Sequence, residues 1–157
     1  MNNTLRYILL KPLSMLYGIG VDIRNKLFDL GVYNSKKSKI STISIGNITV
    51  GGTGKTPHAE YLLSLLSNKI NTAYLSRGYK RSTSGYRLAD DCSNASTIGD
   101  EAYQIRRKFP NIIVAVDGNR HNALKQLNNS KNPPKVVILD DAYQHRKLRC
   151  GLYILLT

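Results

Sequence analysis

A chain of 157 residues, 41% apolar and 21% charged, has the make-up of one modest folded domain and excludes a disordered or low-complexity polymer. Its formal charge of +13 favours anionic partners, which leaves nucleotide, nucleic acid and acidic lipid open. The two cysteines, Cys92 and Cys150, lack the spacing of a metal knuckle or redox pair, so a reduced, cytosol-facing chain is expected.

Residues 1–39 read as an amphipathic helical segment, with Leu5, Ile8, Leu9, Leu13, Leu16 and Tyr17 at helical spacing. Pro12 interrupts it, which predicts two short helices or one kinked helix. A second periodic piece holds Ile23, Leu27, Phe28 and Leu30, and Gly31 is a natural stop. The cations Arg6, Lys11, Arg24, Lys26, Lys36, Lys37 and Lys39 outnumber the acids Asp22 and Asp29. Such a segment either caps the protein core or lies on a membrane, apolar face in lipid and cations at anionic headgroups. No apolar run approaches the ~20 residues that cross a bilayer, and no small-residue cleavage site marks a signal peptide. Surface attachment without a span is therefore the membrane reading.

From residue 40 to 157 strand and helix patterns alternate. Strands are predicted at 40–48, 72–76, 112–116, 136–139 and 152–156, and helices at 57–66, 100–109 and 119–127, with a polar, glycine-containing stretch at 77–98. The runs at 136–139 and 152–156 are apolar throughout, as in strands buried on both faces. The expected fold class is α/β: a P-loop NTPase-like parallel sheet flanked by helices, preceded by the amphipathic segment. A core strand at 152–156 followed only by Thr157 leads to the expectation that the chain is part of a longer protein.

The strongest chemical signal is Thr49-Val50-Gly51-Gly52-Thr53-Gly54-Lys55-Thr56. A P-loop places Gly-Lys-Ser/Thr after a glycine-rich turn, and Gly54, Lys55 and Thr56 match it, although Thr49 stands at the opening glycine. Gly51 and Gly52 let main-chain amides approach phosphate oxygens, and the following helix turns its N-terminus toward the same anion. Lys55 would neutralise β- and γ-phosphates and Thr56 would reach Mg2+. A flexible glycine-rich turn with an incidental lysine is the plain alternative, and the strand-before, helix-after context argues against it.

The run from Val136 to Leu139 ends in Asp140 and Asp141, the form of a Walker B element that holds Mg2+ directly or through water. Adjacent acids on an extended chain point to opposite sides, so the two need not share a role. Gly99-Asp100-Glu101 opens a helix, where carboxylates either offset the dipole or orient an acceptor hydroxyl for phosphoryl transfer. Arg77, Arg120 and His145 are further candidates to contact an anion, though each taken singly has the look of a surface residue.

Together these motifs closely resemble tetraacyldisaccharide 4'-kinases, the lipid A biosynthesis family of Gram-negative bacteria. The resemblance covers residues 44–57, Leu75-Ser76-Arg77-Gly78-Tyr79-Lys80-Arg81, Gly99-Asp100-Glu101, Gly118-Asn119-Arg120 and the run 140–148. In that last run Ala142 and Tyr143 stand where the family has Gly and Phe. The resemblance implies transfer of the ATP γ-phosphoryl group to the 4'-hydroxyl of an acylated glucosamine disaccharide 1-phosphate. It implies Lys55 and Thr56 on phosphate and Mg2+, and Asp141, alone or with Asp140, completing the metal site. Asp100 would be the acid/base residue, with Glu101, Arg120, Gln144 and His145 near the reacting groups. It further implies a membrane-associating N-terminal element on the cytoplasmic face of the inner membrane. A second, C-terminal lobe would supply a histidine that works with Asp100, so the isolated chain is expected to be weak or inert.

Two other readings compete. A P-loop ATPase of the partitioning or metal-insertion type shares the Gly-Gly-x-Gly-Lys-Thr loop, but usually has an early lysine where Val50 stands. A basic module for nucleic acid or membrane would bind in a salt-sensitive way without regard to ATP; the interleaved aromatics of a single-strand binder are not evident, and no nucleic acid is expected.

Overall fold

The computed structural model describes residues 3–33, 35–47, 54–140 and 148–156. It divides into two units, Met1–Ser35 and Lys36–Thr157.

The first unit is built on helix α1, Asn3–Asp29, which continues through Pro12 as one assigned helix. Two separate short helices are thus not what forms. Proline removes one main-chain bond and crowds the carbonyl four residues back, at about 3 kcal/mol, yet the good helix formers on both sides carry the helix past it. Gly31 ends it as expected: at φ +73 it gives its N–H to the Phe28 carbonyl, and Tyr33 N–H bonds the Leu27 carbonyl. The Tyr33 ring then rests on Phe28, centroids 5.3 Å apart. Met15, Leu16, Ile19 and Ile23 are exposed on α1. Among the described residues no helix is long and apolar enough to cross a membrane.

The second unit alternates strand and helix. Short β1 (Lys36–Lys37) and β2 (Ser41–Asn47) lead into α2 (Lys55–Leu66), β3 (Thr72–Ser76) and β4 (Arg87–Leu88). Then come α3 (Ala95–Ile98), α4 (Asp100–Lys108), β5 (Ile113–Val116), α5 (Arg120–Asn128), β6 (Val136–Asp140), β7 (Leu148–Arg149) and β8 (Leu152–Leu156). The main sheet has six strands in the order β4-β5-β3-β6-β2-β8; β1 and β7 form a separate parallel pair. All neighbours in the main sheet are parallel except β4, which runs antiparallel to β5. The fold is α/β, with one antiparallel edge strand that the polar composition of 77–98 does not betray.

Side chains alternate between two cores. On one face Ile45, Tyr74, Val114, Val116 and Ile138 meet Ala59 and Leu63 of α2, Ile98 of α3, and Ala102 and Ile105 of α4. On the other Ala73, Leu75, Ala115, Val137 and Leu139 meet Ala123, Leu124 and Leu127 of α5. Every residue of β3 and β6 is buried, as a parallel strand covered on both faces requires. Strand β8 departs from that expectation. It forms at the predicted residues but lies at the sheet edge beside β2, with Leu152 52% and Tyr153 40% exposed.

Burying one leucine contributes about 1.5–3 kcal/mol, more when its removal leaves a cavity. Leu63→Ala, at a fully buried position of α2, should therefore lower unfolding free energy by about 2–5 kcal/mol in urea denaturation. Leu65→Ala on the same helix, where the side chain is 43% exposed, should change it by less than about 1 kcal/mol.

Candidate functional site

The sheet order locates the site. From β2 the chain crosses to β3, past β6; from β6 it proceeds to β8, past β2. The neighbours β2 and β6 thus send their connections in opposite directions. Ligands of open α/β sheets bind in the crevice at the carboxyl ends of such strands. Ile45 pairs with Asp140 in register, so Asn47 and Asp140 both stand at that end.

Helix α2 begins at the same end. Gly54 precedes it at φ +72, a left-handed conformation that a side chain would strain. The His58 ring lies 2.8 Å from the Gly54 carbonyl through Nδ1; since a carbonyl only accepts, Nδ1 carries the proton in this contact. Lys55, the first residue of α2, gives an Nζ hydrogen bond to Asn47 Oδ1 at 3.1 Å. The ammonium is thereby held over the end of β2, where the helix N-terminus adds its own partial positive charge. Thr56 follows in the first turn.

Next to it stands a buried polar network. Asp140 is 3% exposed and accepts a 2.6 Å hydrogen bond at Oδ2 from the hydroxyl of fully buried Tyr74. Burial first, and then the Asp140 charge, push the Tyr74 phenol well above its ordinary range, so it remains a protonated donor. Glu101 and Arg120 also act electrostatically on Tyr74, which places those charges around the same pair. Arg120, 4% exposed, donates through Nη1 to the Asp117 carbonyl and through Nη2 to the Asp140 carbonyl at 3.3 Å. Far from being a surface residue, it ties the loop after β5 to the end of β6. Asp117, 3% exposed, accepts from Asn119 N–H at 2.8 Å and Asn122 Nδ2 at 2.7 Å, which fixes the start of α5.

Asp100 and Glu101 enter from the third side. They open α4 and are exposed, with Arg106, Arg107 and Lys108 in its last turn, so the helix carries charges that oppose its dipole at both ends. A close approach of glycine to glycine sets their position. A Cβ on Gly99 (φ +87) would lie 2.9 Å from the Tyr79 carbonyl oxygen and 3.0 Å from the Gly78 carbonyl carbon. The loop after β3 is itself tightly wound, with Gly78 at φ +69 and Lys80 at φ +59. Arg77 is exposed at its start.

The described residues therefore bring Gly54, Lys55, Thr56, Arg77, Asp100, Glu101, Arg120 and Asp140 to one edge of one sheet. Thr49, Val50, Gly51, Gly52, Thr53, Asp141, Gln144 and His145 lie outside the described residues. Sequence reading missed Asn47, Tyr74 and Asp117. Asn47 sits inside the quoted 44–57 motif, but only the fold brings Tyr74 to Asp140. A cavity of about 530 Å³ lies elsewhere, beside α5, lined by Lys37, Lys39, His121 and Lys125 among others. Its lining includes no carboxylate and none of the carboxyl ends of the main-sheet strands.

Fold and crevice define an α/β protein with a lysine-headed helix and a buried aspartate at the switch point of its sheet. The chain belongs to the tetraacyldisaccharide-1-P 4'-kinase (LpxK) family, whose model matches residues 6–157. It is 54% identical over 155 residues to tetraacyldisaccharide 4'-kinase of Flavobacterium johnsoniae, covering 99% of this chain and 45% of that protein. It is 55% identical over 149 residues to that of Bacteroides fragilis, covering 94% and 40%. A crystal structure of LpxK from Aquifex aeolicus in complex with ATP superposes with a TM-score of 0.83 at 37% identity, over 93% of this chain and 47% of that one. The chain thus spans less than half the length of these relatives.

Gly99→Ala should cost on the order of 3 kcal/mol, because left-handed strain adds to the clash with the loop after β3. Gly85→Ala shares a positive φ of +71 but meets open space, so about 1 kcal/mol is expected there. Urea unfolding of the two variants separates contact from strain.

Proposed function

We propose that this chain provides the nucleotide-binding part of a tetraacyldisaccharide 4'-kinase, which moves the ATP γ-phosphoryl group to the 4'-hydroxyl of a tetraacylated glucosamine disaccharide 1-phosphate. Family membership and the ATP-complexed Aquifex relative support this reading. The observation that carries it is local: Lys55 over the end of β2, with Asp140 at the end of adjacent β6. One cation and one carboxylate at the switch point suit a phosphate chain and its metal.

The donor set fits Mg2+, since Thr56 and Asp140 offer a hydroxyl and a carboxylate, the hard oxygen ligands this ion prefers; Asp141 would join them. The ion, when bound, supplies charge neutralisation on the triphosphate oxygens. Lys55 holds the β- and γ-phosphates, and the glycine-rich motif before it is the sequence signature for the same anion. Asp100, exposed at the head of α4, accepts the proton of the 4'-hydroxyl as its oxygen bonds to the γ-phosphorus and the bond to the ADP oxygen breaks. Arg77, Glu101 and Arg120 stand at the same edge of the sheet, and Gln144 and His145 match family motifs assigned near the reacting groups. The exposed apolar residues of α1, accompanied by Lys11 and Lys26, would rest on the cytoplasmic face of the inner membrane, where an acylated substrate keeps its chains in the bilayer.

Lys55→Ala should abolish MgATP binding by this chain in calorimetric titration, while Asp100→Ala should leave it nearly unchanged. In the full-length enzyme, Asp100→Ala should cut transfer of labelled γ-phosphate to tetraacyldisaccharide 1-phosphate at least 100-fold, at the lower end of what a general base contributes. Equal loss of binding and turnover in Asp100→Ala would make it a binding residue instead. Stimulated ATP hydrolysis with no lipid product would favour the ATPase reading.

A further inference from the structure

We propose that Tyr74 is a positioning residue for the metal-binding carboxylate, its hydroxyl holding Oδ2 of Asp140 so that the acid meets the cation in one fixed orientation. The inference rests on the reading of this crevice as a metal–ATP site and deepens it.

Strand β3 lies beside β6, with Tyr74 paired in register to Ile138, two residues before Asp140. Side chains two residues apart on a strand share a face. Tyr74 must therefore reach diagonally along that face, a span of about 7–8 Å that aromatic side chains can bridge. Serine or threonine is too short for it, and phenylalanine has no donor. Tyr74 reaches, and its 2.6 Å contact lies in the range of hydroxyl–carboxylate bonds.

The position is otherwise one for an aliphatic residue. Its strand neighbours Ala73 and Leu75 are fully buried and apolar, and the Tyr74 ring packs in the same core as Ile45, Leu63 and Ile138. A hydroxyl there is costly unless it has a partner, and Asp140 is that partner. The main chain of Asp140 is held as well, its carbonyl bonded by Arg120 Nη2. Side chain and backbone are thus tied from two different elements, β3 and α5. Partners behind a metal ligand fix its orientation, and their loss commonly weakens metal affinity 10–100-fold.

The test uses this chain with ATP and Mn2+ or Mg2+, following metal affinity by Mn2+ paramagnetic resonance and nucleotide affinity by calorimetry. Tyr74→Phe keeps the ring and removes only the hydroxyl. The expected result is unchanged affinity for metal-free ATP with metal affinity of the nucleotide-bound chain reduced about tenfold or more. Combined with Asp140→Asn, the Tyr74→Phe substitution should have no further effect on metal affinity, because Tyr74 acts through that carboxylate. Unchanged metal affinity in Tyr74→Phe overturns the proposal, and so does an equal loss with and without Asp140→Asn, which would mark a packing defect. Should the unsubstituted chain bind ATP no better with metal than without, the metal–ATP reading itself fails and takes this proposal with it. That failure shows before any variant is made.

Discussion

The structure depends on one topological constraint: adjacent parallel strands β2 and β6 send their connections in opposite directions. Their carboxyl ends, Asn47 and Asp140, stand at the same edge of the sheet, which is where open α/β sheets take their ligands. Strands β3 and β5 run parallel to β6, so their ends face the same edge. Three helices then start where strands finish, so Lys55, Asp100 and Arg120 all head their helices at this edge. Positive helix ends and basic side chains gather on one side of the sheet, which is favourable for a polyanion.

Stability and chemistry are separated by depth. The two apolar layers on either face of the sheet hold the strands, whereas the edge is built of polar groups that are buried yet partnered. Tyr74 bonds Asp140, Arg120 bonds two main-chain carbonyls, and Asp117 bonds Asn119 and Asn122. A buried polar group without a partner costs about 1–3 kcal/mol, and each of these bonds offsets part of that cost. The same bonds preorganise the edge, because Tyr74 holds the side chain of Asp140 and Arg120 holds its main chain.

Much of this was legible from sequence because it is local. Residue patterns located five strands of the main sheet and helices α2, α4 and α5 to within a residue or two, though not β4, α3 or the β1/β7 pair, and the Gly54-Lys55-Thr56 and Asp140 signals fell on strand ends. The α/β class and the family resemblance followed from the same residues. What escaped was non-local. Tyr74 reads as one more strand residue until β3 lies beside β6, and Gly78 and Gly99 gain meaning only from contact across the loop. Arg120 looked like a surface cation because nothing in its neighbourhood of sequence reveals that its guanidinium spans to β6. Local propensity at Pro12 was overridden by the helix formers around it.

Amide hydrogen exchange of this chain with and without MgATP tests the central claim most directly. Binding at the switch point predicts added protection at Asn47, across 54–58, at 76–79 and 117–120, and at Asp140, with little change along β8. Protection confined to Lys37, Lys39 and the α5 surface beside them, with the strand ends unchanged, would contradict it and move the nucleotide to the basic cavity instead.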